Sequence, residues 1–318
     1  MEALMRLTRK VAIGLAGTAI LVGCRPRNQQ HSTLKDSLQA AMAMPLQMGT
    51  AMVVGETDLP GNRNISGGFP RAVSELIAAN DDVYLSRQQF VVSFDIKAKV
   101  PAWTAWQIVK SDLGDVARSD NFRSDEILNT YLQTHQKTSG VSPEDYKNTC
   151  FDRGHQTPSA DRTSLPRHNM ATFYMSNMAP QTAFLNRRIW AGLESYSRDL
   201  VRDEGRKLQV YAGTILRDGR EKIGRNKDIQ IPEAYYKVVA VYEDDHAKQP
   251  TGHIAVIMPN VTANGRDPLA NKDEACQEQK SGGSGSQSTS WKDYKVSLKE
   301  VERRAGMSFP HLEKTRAL

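Results

Sequence analysis

The chain has little cysteine, no strong excess of either charge, no internal repeat and no comfortably membrane-spanning run. Three cysteines in 318 residues, Cys24, Cys150 and Cys276, exclude a disulfide-dense scaffold. Lys plus Arg total 42 against 36 for Asp plus Glu, an excess of 6. That is compatible with a polyanionic partner but too mild to imply one. The lack of a repeat excludes a solenoid. The most apolar stretch near the start, Val11 to Gly23, is short for a transmembrane helix.

What is present begins with that stretch. Arg6, Arg9 and Lys10 precede it, and Leu21-Val22-Gly23-Cys24 ends it. A positive head, a short apolar core and a small-residue end form a secretory signal. The last four residues resemble a bacterial lipobox, in which the chain is cut before the cysteine and the thiol is lipidated. The expectation is an exported protein, lipid-anchored through Cys24 in the bacterial cell envelope (periplasmic or outer surface) or secreted; a plain signal peptide with an incidental cysteine and an uncleaved anchor are the alternatives. Residues 24–85 read as a tether and N-terminal extension, partly disordered. An oxidising compartment and the two remaining cysteines suit one disulfide, Cys150 to Cys276, or two free thiols.

The globular pattern starts near residue 86. Phe90, Val92, Phe94 and Ile96 alternate, which predicts a strand with one buried face. Pro101 is expected to break it, and Trp103 to Val109 to return. Asn186 to Arg202 is the clearest helix, with Ile189, Leu193, Tyr196, Leu200 and Val201 on one stripe and Gly205 at its end. Leu208 to Leu216, Ala234 to Tyr242 and His253 to Met258 are rich in Val, Ile and Tyr and read as strands. Residues 264–290 are polar and read as a flexible insertion. Ser297 with Glu300 caps a last helix that Gly306 closes. Strands and helices do not alternate regularly. The expected class is α+β, with a mixed, largely antiparallel central sheet flanked by helices.

Two segments carry chemistry. Asp152-Arg153-Gly154-His155 sets a base that titrates near neutrality beside a guanidinium that can bind phosphate, with a glycine to let the backbone present both. Taken alone, it is either a polar turn or half of an active site. Asn186, Trp190, Glu194 and Arg198 then recur at steps of four, so they share one helix face. An amide, a carboxylate and a guanidinium in line suit a hard cation beside a phosphate, or a solvated face with a Glu194–Arg198 pair. Trp103, Trp106 and Trp190 read as core.

The ordered run Asp152-Arg153-Gly154-His155, Pro158-Ser159-Ala160-Asp161-Arg162-Thr163, Met175-Ser176-Asn177-Met178, Pro180-Gln181, Asn186, Trp190 and Leu193-Glu194 resembles the DNA/RNA non-specific endonuclease family. That family includes secreted bacterial nucleases and mitochondrial endonuclease G. The similarity continues through Arg118-Ser119-Asp120-Asn121-Phe122, Val210-Tyr211-Ala212-Gly213 and Ile257-Met258-Pro259-Asn260, over most of residues 87–312. The resemblance implies a ββα-metal (His-Me finger) site in a nuclease domain spanning residues 86–318. It implies that the first strand of a hairpin brings up His155 and that Ala171 to Asn177 forms the second. His155 is then the general base, Asn186 the direct ligand of Mg²⁺ or Mn²⁺, and Glu194 a ligand through water. Arg118 and Arg198 contact the phosphate, and Arg153 supports the same charge or braces the loop. DNA and RNA are the expected substrates, cut to 5′-phosphates, with a protein inhibitor as a further partner. A catalytically inactive nucleic-acid-binding lipoprotein and a narrow-substrate phosphodiesterase are the alternatives.

Overall fold

The nine residues of Ala234–Tyr242 are buried from end to end. Side chains alternate across a strand, so a strand with no solvent face lies inside a sheet covered on both sides. The computed structural model has that arrangement. It describes residues 52–57, 59, 61–68, 70–72, 82–282 and 285–318. The signal segment and Cys24 lie outside the described residues.

The strands are β1 (Met52–Gly55), β2 (Arg71–Ala72), β3 (Val83–Ser86), β4 (Val91–Asp95), β5 (Val100–Ile108), β6 (Asp152–His155), β7 (Met178–Gln181), β8 (Lys207–Ile215), β9 (Lys222–Ile223), β10 (Ile229–Gln230), β11 (Ala234–Tyr242), β12 (Gly252–Pro259), β13 (Met307–Ser308) and β14 (Arg316–Ala317). The α-helices are α1 (Glu126–Tyr131), α2 (Pro166–Ala171), α3 (Ala191–Arg202), α4 (Lys272–Ser281) and α5 (Leu298–Ala305). An eight-stranded sheet runs in the order β1-β3-β4-β5-β8-β11-β12-β14. It is antiparallel from β3 to β12, with β1 and β14 added in parallel at the edges. The class is the α+β arrangement expected from the sequence.

Each face of the sheet has its own core. Trp106, Val210, Tyr235, Val239 and Val256 face Ile189, Trp190, Leu193 and Val201 of the helical side. Trp103, Tyr211, Tyr236, Val238 and Ile257 face Leu298, Val301, Phe309 and Leu312 at the C-terminal end. The expected caps are present: Glu300 N–H donates to Ser297 Oγ at 3.2 Å, and Gly306 is left-handed at φ 64°. All three tryptophans read as core are at most 2% exposed.

Four expectations need correction. First, β4 is buried on both faces, because Val91 joins the second core. Second, Pro101 lies inside β5 rather than ending β4. It faces Phe94 where the register shifts, and a bulge can tolerate a residue with no N–H to give the ladder. Third, the folded body starts well before residue 86. β1 pairs with β3, while Asn62 and Asn64 are buried and donate to the carbonyls of Arg87 and Gln88. A four-residue strand followed by glycine-rich turns leaves no period to read. Fourth, residues 264–290 hold α4, and Cys276 on that helix is bonded to Cys150. The polar composition concealed a helix held from outside. Among the described residues no helix is long and apolar enough to cross a membrane.

A buried ion pair ties the sheet to the loop layer. The Arg87 guanidinium donates to Asp125 at 2.6 Å, each side chain being 1% exposed, and stacks on Tyr174. Asp125 also caps α1 and accepts from Ser176 Oγ. Glu56 binds the other guanidinium nitrogen at 2.6 Å but is 47% exposed, so removing Asp125 takes away the buried half of the compensation together with the α1 cap and the partner of Ser176. Asp125→Ala should therefore lower the unfolding free energy by about 3–5 kcal/mol. Urea denaturation is the check, and Arg87→Met in the same chain should restore part of the loss.

Candidate active site

Asp152, Arg153, Gly154 and His155 form β6, which pairs antiparallel with β7. The second strand of this hairpin is thus Met178–Gln181, not Ala171 to Asn177. The earlier segment ends α2 and then makes a turn over Met175–Asn177. Ala171, Phe173 and Met175 of that segment are at most 7% exposed, so it is part of the core without being a paired strand. Asn177 holds it in place: its side chain accepts from Thr157 N–H at 2.9 Å and donates to the carbonyls of Thr157 and Thr172. Asn260 docks β7 on the main sheet through Thr182 N–H and the carbonyls of Pro180 and Pro232.

Gly154 has a different role from the one read in the sequence. It is not among the positive-φ residues. A Cβ there would lie 2.2 Å from Gln181 Oε1, so the glycine makes room for the Gln181 side chain across the hairpin.

His155 ends β6 at 7% exposure, and its Nε2 is buried with no hydrogen-bond partner among the described residues. The ring sits edge-on to Phe173 at 4.9 Å and to Phe122 at 5.6 Å. Backbone hydrogen bonds from Arg123 to Phe173 and from Met175 to Arg123 bring those two rings together. Arg153 lies over Phe122 at 4.0 Å and Arg118 over Phe173 at 4.9 Å. The histidine is thus enclosed by two rings, each capped by a guanidinium. Burial, reinforced by the charges of Arg118 and Arg153, pushes its pKa down to about 3. The imidazole is therefore neutral at neutral pH and able to accept a proton.

The second segment approaches from the other side. Leu185–Trp190 is a π-helical stretch that runs into α3. Asn186 Nδ2 donates to Asp152 Oδ2 at 2.9 Å, and Arg187 grips the same carboxylate at 2.7 and 2.8 Å. One turn later Trp190 Nε1 donates to the His155 carbonyl at 3.2 Å. The two segments singled out in the sequence are thus joined directly by hydrogen bonds.

Glu194 and Arg198 continue the line inward. Glu194 pairs with Lys237 at 3.4 Å, and Arg198 with Asp161 at 3.0 Å. Asp161 also accepts from Trp106 Nε1 at 2.9 Å. Lys237 comes from the central strand β11, is 1% exposed and lies 3.9 Å over Trp190. Burial pushes Glu194 up and Lys237 down, and each opposes the shift of the other. Of the three arginines, Arg118 is half exposed and held by Asp120 and Ser159, whereas Arg198 is 12% exposed and committed to Asp161.

Sequence reasoning assigned no role to Lys237, Phe122, Phe173 or Arg187, and none to Asp152 and Asp161 individually. The signal for Lys237 was available: it is the lone charge in Ala-Tyr-Tyr-Lys-Val-Val-Ala-Val-Tyr. The aromatic pair depends on a contact between residues 51 positions apart and had no local signal. Among the described residues no group of three or more His, Cys, Asp or Glu stands together as a metal cluster. The candidate ligands are the Asn186 amide, with Glu194 behind it.

The profile of the DNA/RNA non-specific endonuclease family matches residues 71–315. A nuclease of Nostoc sp. is 31% identical over 303 residues, covering 93% of this chain and 91% of the relative. Human mitochondrial endonuclease G is 31% identical over 166 residues, 48% of this chain and 53% of that one. The solved EndoG of an EndoG/EndoGI complex superposes with a TM-score of 0.55 at 25% identity, covering 77% of this chain and 89% of the other. With the hairpin, the enclosed histidine and the joined helix, these matches show that the chain belongs to the DNA/RNA non-specific endonuclease family and is a hydrolase of nucleic acids.

Proposed function

We propose that this nuclease cleaves DNA and RNA by attack of a water that His155 deprotonates, with Asn186 as the metal-binding residue. The observation that carries this reading is the joint between the two segments: Asp152 starts the strand that ends in His155, and the same carboxylate holds Asn186. His155 stays neutral, so it can take the proton as water attacks phosphorus in line and the bond to the 3′ oxygen breaks. The products are a 5′-phosphate and a 3′-hydroxyl.

The residues fit a hard divalent cation. Asp152 engages the Asn186 nitrogen and so leaves the amide oxygen, the donor such a cation prefers, for a ligand. Mg²⁺ or Mn²⁺ held by Asn186, and through water by Glu194, would supply Lewis-acid stabilisation of the charge developing on the phosphate and the leaving oxygen. Arg118 and Arg153 offer guanidiniums beside the histidine for the phosphate. Arg198 acts chiefly by holding Asp161. Contacts made to phosphate carry no base information, which fits cleavage without sequence preference. The complex formed by EndoG supports a protein inhibitor as a further partner. The sequence of residues 1–24 supports export and a lipid anchor at Cys24, and so a place in the cell envelope.

Plasmid nicking tests the chemistry. Activity with Mg²⁺ should vanish in EDTA, and His155→Ala should lower kcat by about 10²- to 10⁴-fold. Unchanged cleavage by the variant would refute the assignment. The pH profile tests the electrostatics. A base held below its usual 6.5 keeps kcat/KM level through mildly acidic pH, with the acid limb well below 6.5. Removing a positive neighbour relieves that depression, so Arg118→Ala should move the limb to higher pH. For the anchor, wild-type protein should fractionate with membranes and Cys24→Ser should appear in the soluble fraction.

A further inference from the structure

Helix α4 lies against the entrance to the catalytic hairpin, although little of it is buried. Of its ten residues only Ala275 and Glu278 are buried. What fastens it is specific. Cys276 is bonded to Cys150 across a Cα–Cα distance of 4.4 Å, and Gln279 Nε2 donates to the Phe151 carbonyl at 2.7 Å. Both contacts fall on the two residues that immediately precede Asp152.

The backbone at that entrance is unusual. Asn148 and Cys150 both adopt left-handed conformations, at φ 58° and 65°. Asparagine visits this region readily, but a cysteine holds such an angle only where its surroundings impose it. Beside the bond to Cys276, this segment is held by Phe151, whose ring is buried in the main core, by Thr149, which reaches back to the Tyr146 carbonyl, and by Gln279, so Cys150 and its φ depend most on the disulfide. β6 itself is four residues long, and its far end is fixed by Gln156 N–H on the Asn177 carbonyl and by Trp190 on the His155 carbonyl, so the segment from 148 to 151 sets the position of its near end. Its first residue is Asp152, which orients Asn186 and Arg187.

We propose that the Cys150–Cys276 disulfide is a positioning device for the cleavage reaction. It pins α4 to the start of β6 and so holds Asp152, and through it the Asn186 amide, in the working arrangement. The thiol form is accordingly a folded but slow nuclease. This rests on the role given above to Asn186. The chemistry is a two-electron exchange: a small dithiol breaks the S–S bond, leaves two protein thiols and is itself oxidised to a cyclic disulfide. Both cysteines line an open cleft of about 480 Å³, so a small reductant can reach them.

The test uses the full chain, oxidised, treated with dithiothreitol, and as Cys150→Ser/Cys276→Ser. On duplex DNA with Mg²⁺, kcat should fall about tenfold on reduction, as expected for a displaced catalytic group, with KM changed less than twofold. It should recover on reoxidation, and the double variant should be slow whether or not reductant is added. Hydrogen exchange, read without metal or substrate, should quicken at residues 148–155 and stay unchanged in β8 and β11. Wild-type kcat in the reduced protein and the variant would overturn the proposal. So would a loss of activity accompanied by faster exchange throughout β8 and β11, which marks general destabilisation. An oxidised wild type that cleaves nothing would instead refute the function proposed above, and the exchange data would still decide whether the bond holds the hairpin.

Discussion

A lysine in the middle of the central strand sets terms for everything packed above it. Lys237 enters the core between Trp106 and Trp190, where an unpaired ammonium would be prohibitively costly. Glu194 answers it, Arg198 stands one turn further along the same helix, and Asp161 answers Arg198. This chain of alternating charges fixes the rotation of α3 about its axis more firmly than an apolar stripe could, since hydrophobic contact is non-directional. Once α3 is set, the segment at its start must meet β6, and the meeting of Asn186 with Asp152 follows.

The site also shows how one pair of arginines can serve two ends. Guanidiniums beside a histidine oppose its protonation, which leaves the ring free of a proton but also lowers its proton affinity until an anion offsets them. The same charges would draw an anionic group toward the ring. The aromatic rings between them reconcile the two uses. Phe122 and Phe173 keep the guanidiniums off the imidazole nitrogens while providing each with a π face.

Much of this was legible in the sequence, and the limits have physical causes. The long strands β8, β11 and β12 and the helix from Asn186 could be read because their periods run over many residues. His155 and Asn186 could be read because their neighbours keep a fixed order and spacing. β1 could not, being four residues long and stabilised by a partner some thirty positions away. The segment from Ala171 to Met175 could pass for a strand, since its buried Ala171, Phe173 and Met175 alternate as strand residues do without any paired register. Lys237 stood in plain view, but its partner sits on a distant helix, and only the packing of α3 on β11 explains it.

The π-helical stretch from Leu185 to Trp190 has a consequence for how the two halves of the site can vary. A π turn accommodates one residue more than an ordinary turn, so the chain before it is rotated by about 100° relative to the helix after it. The stem of α3 is indexed to the sheet by Lys237, whereas Asn186 is indexed to the hairpin by Asp152. The wide turn is the coupling between these two frames, absorbing the mismatch in angle. An insertion or deletion confined to it would rephase the ligand end while the stem stayed seated. Chain length at this one point is thus an adjustable dial between scaffold and chemistry.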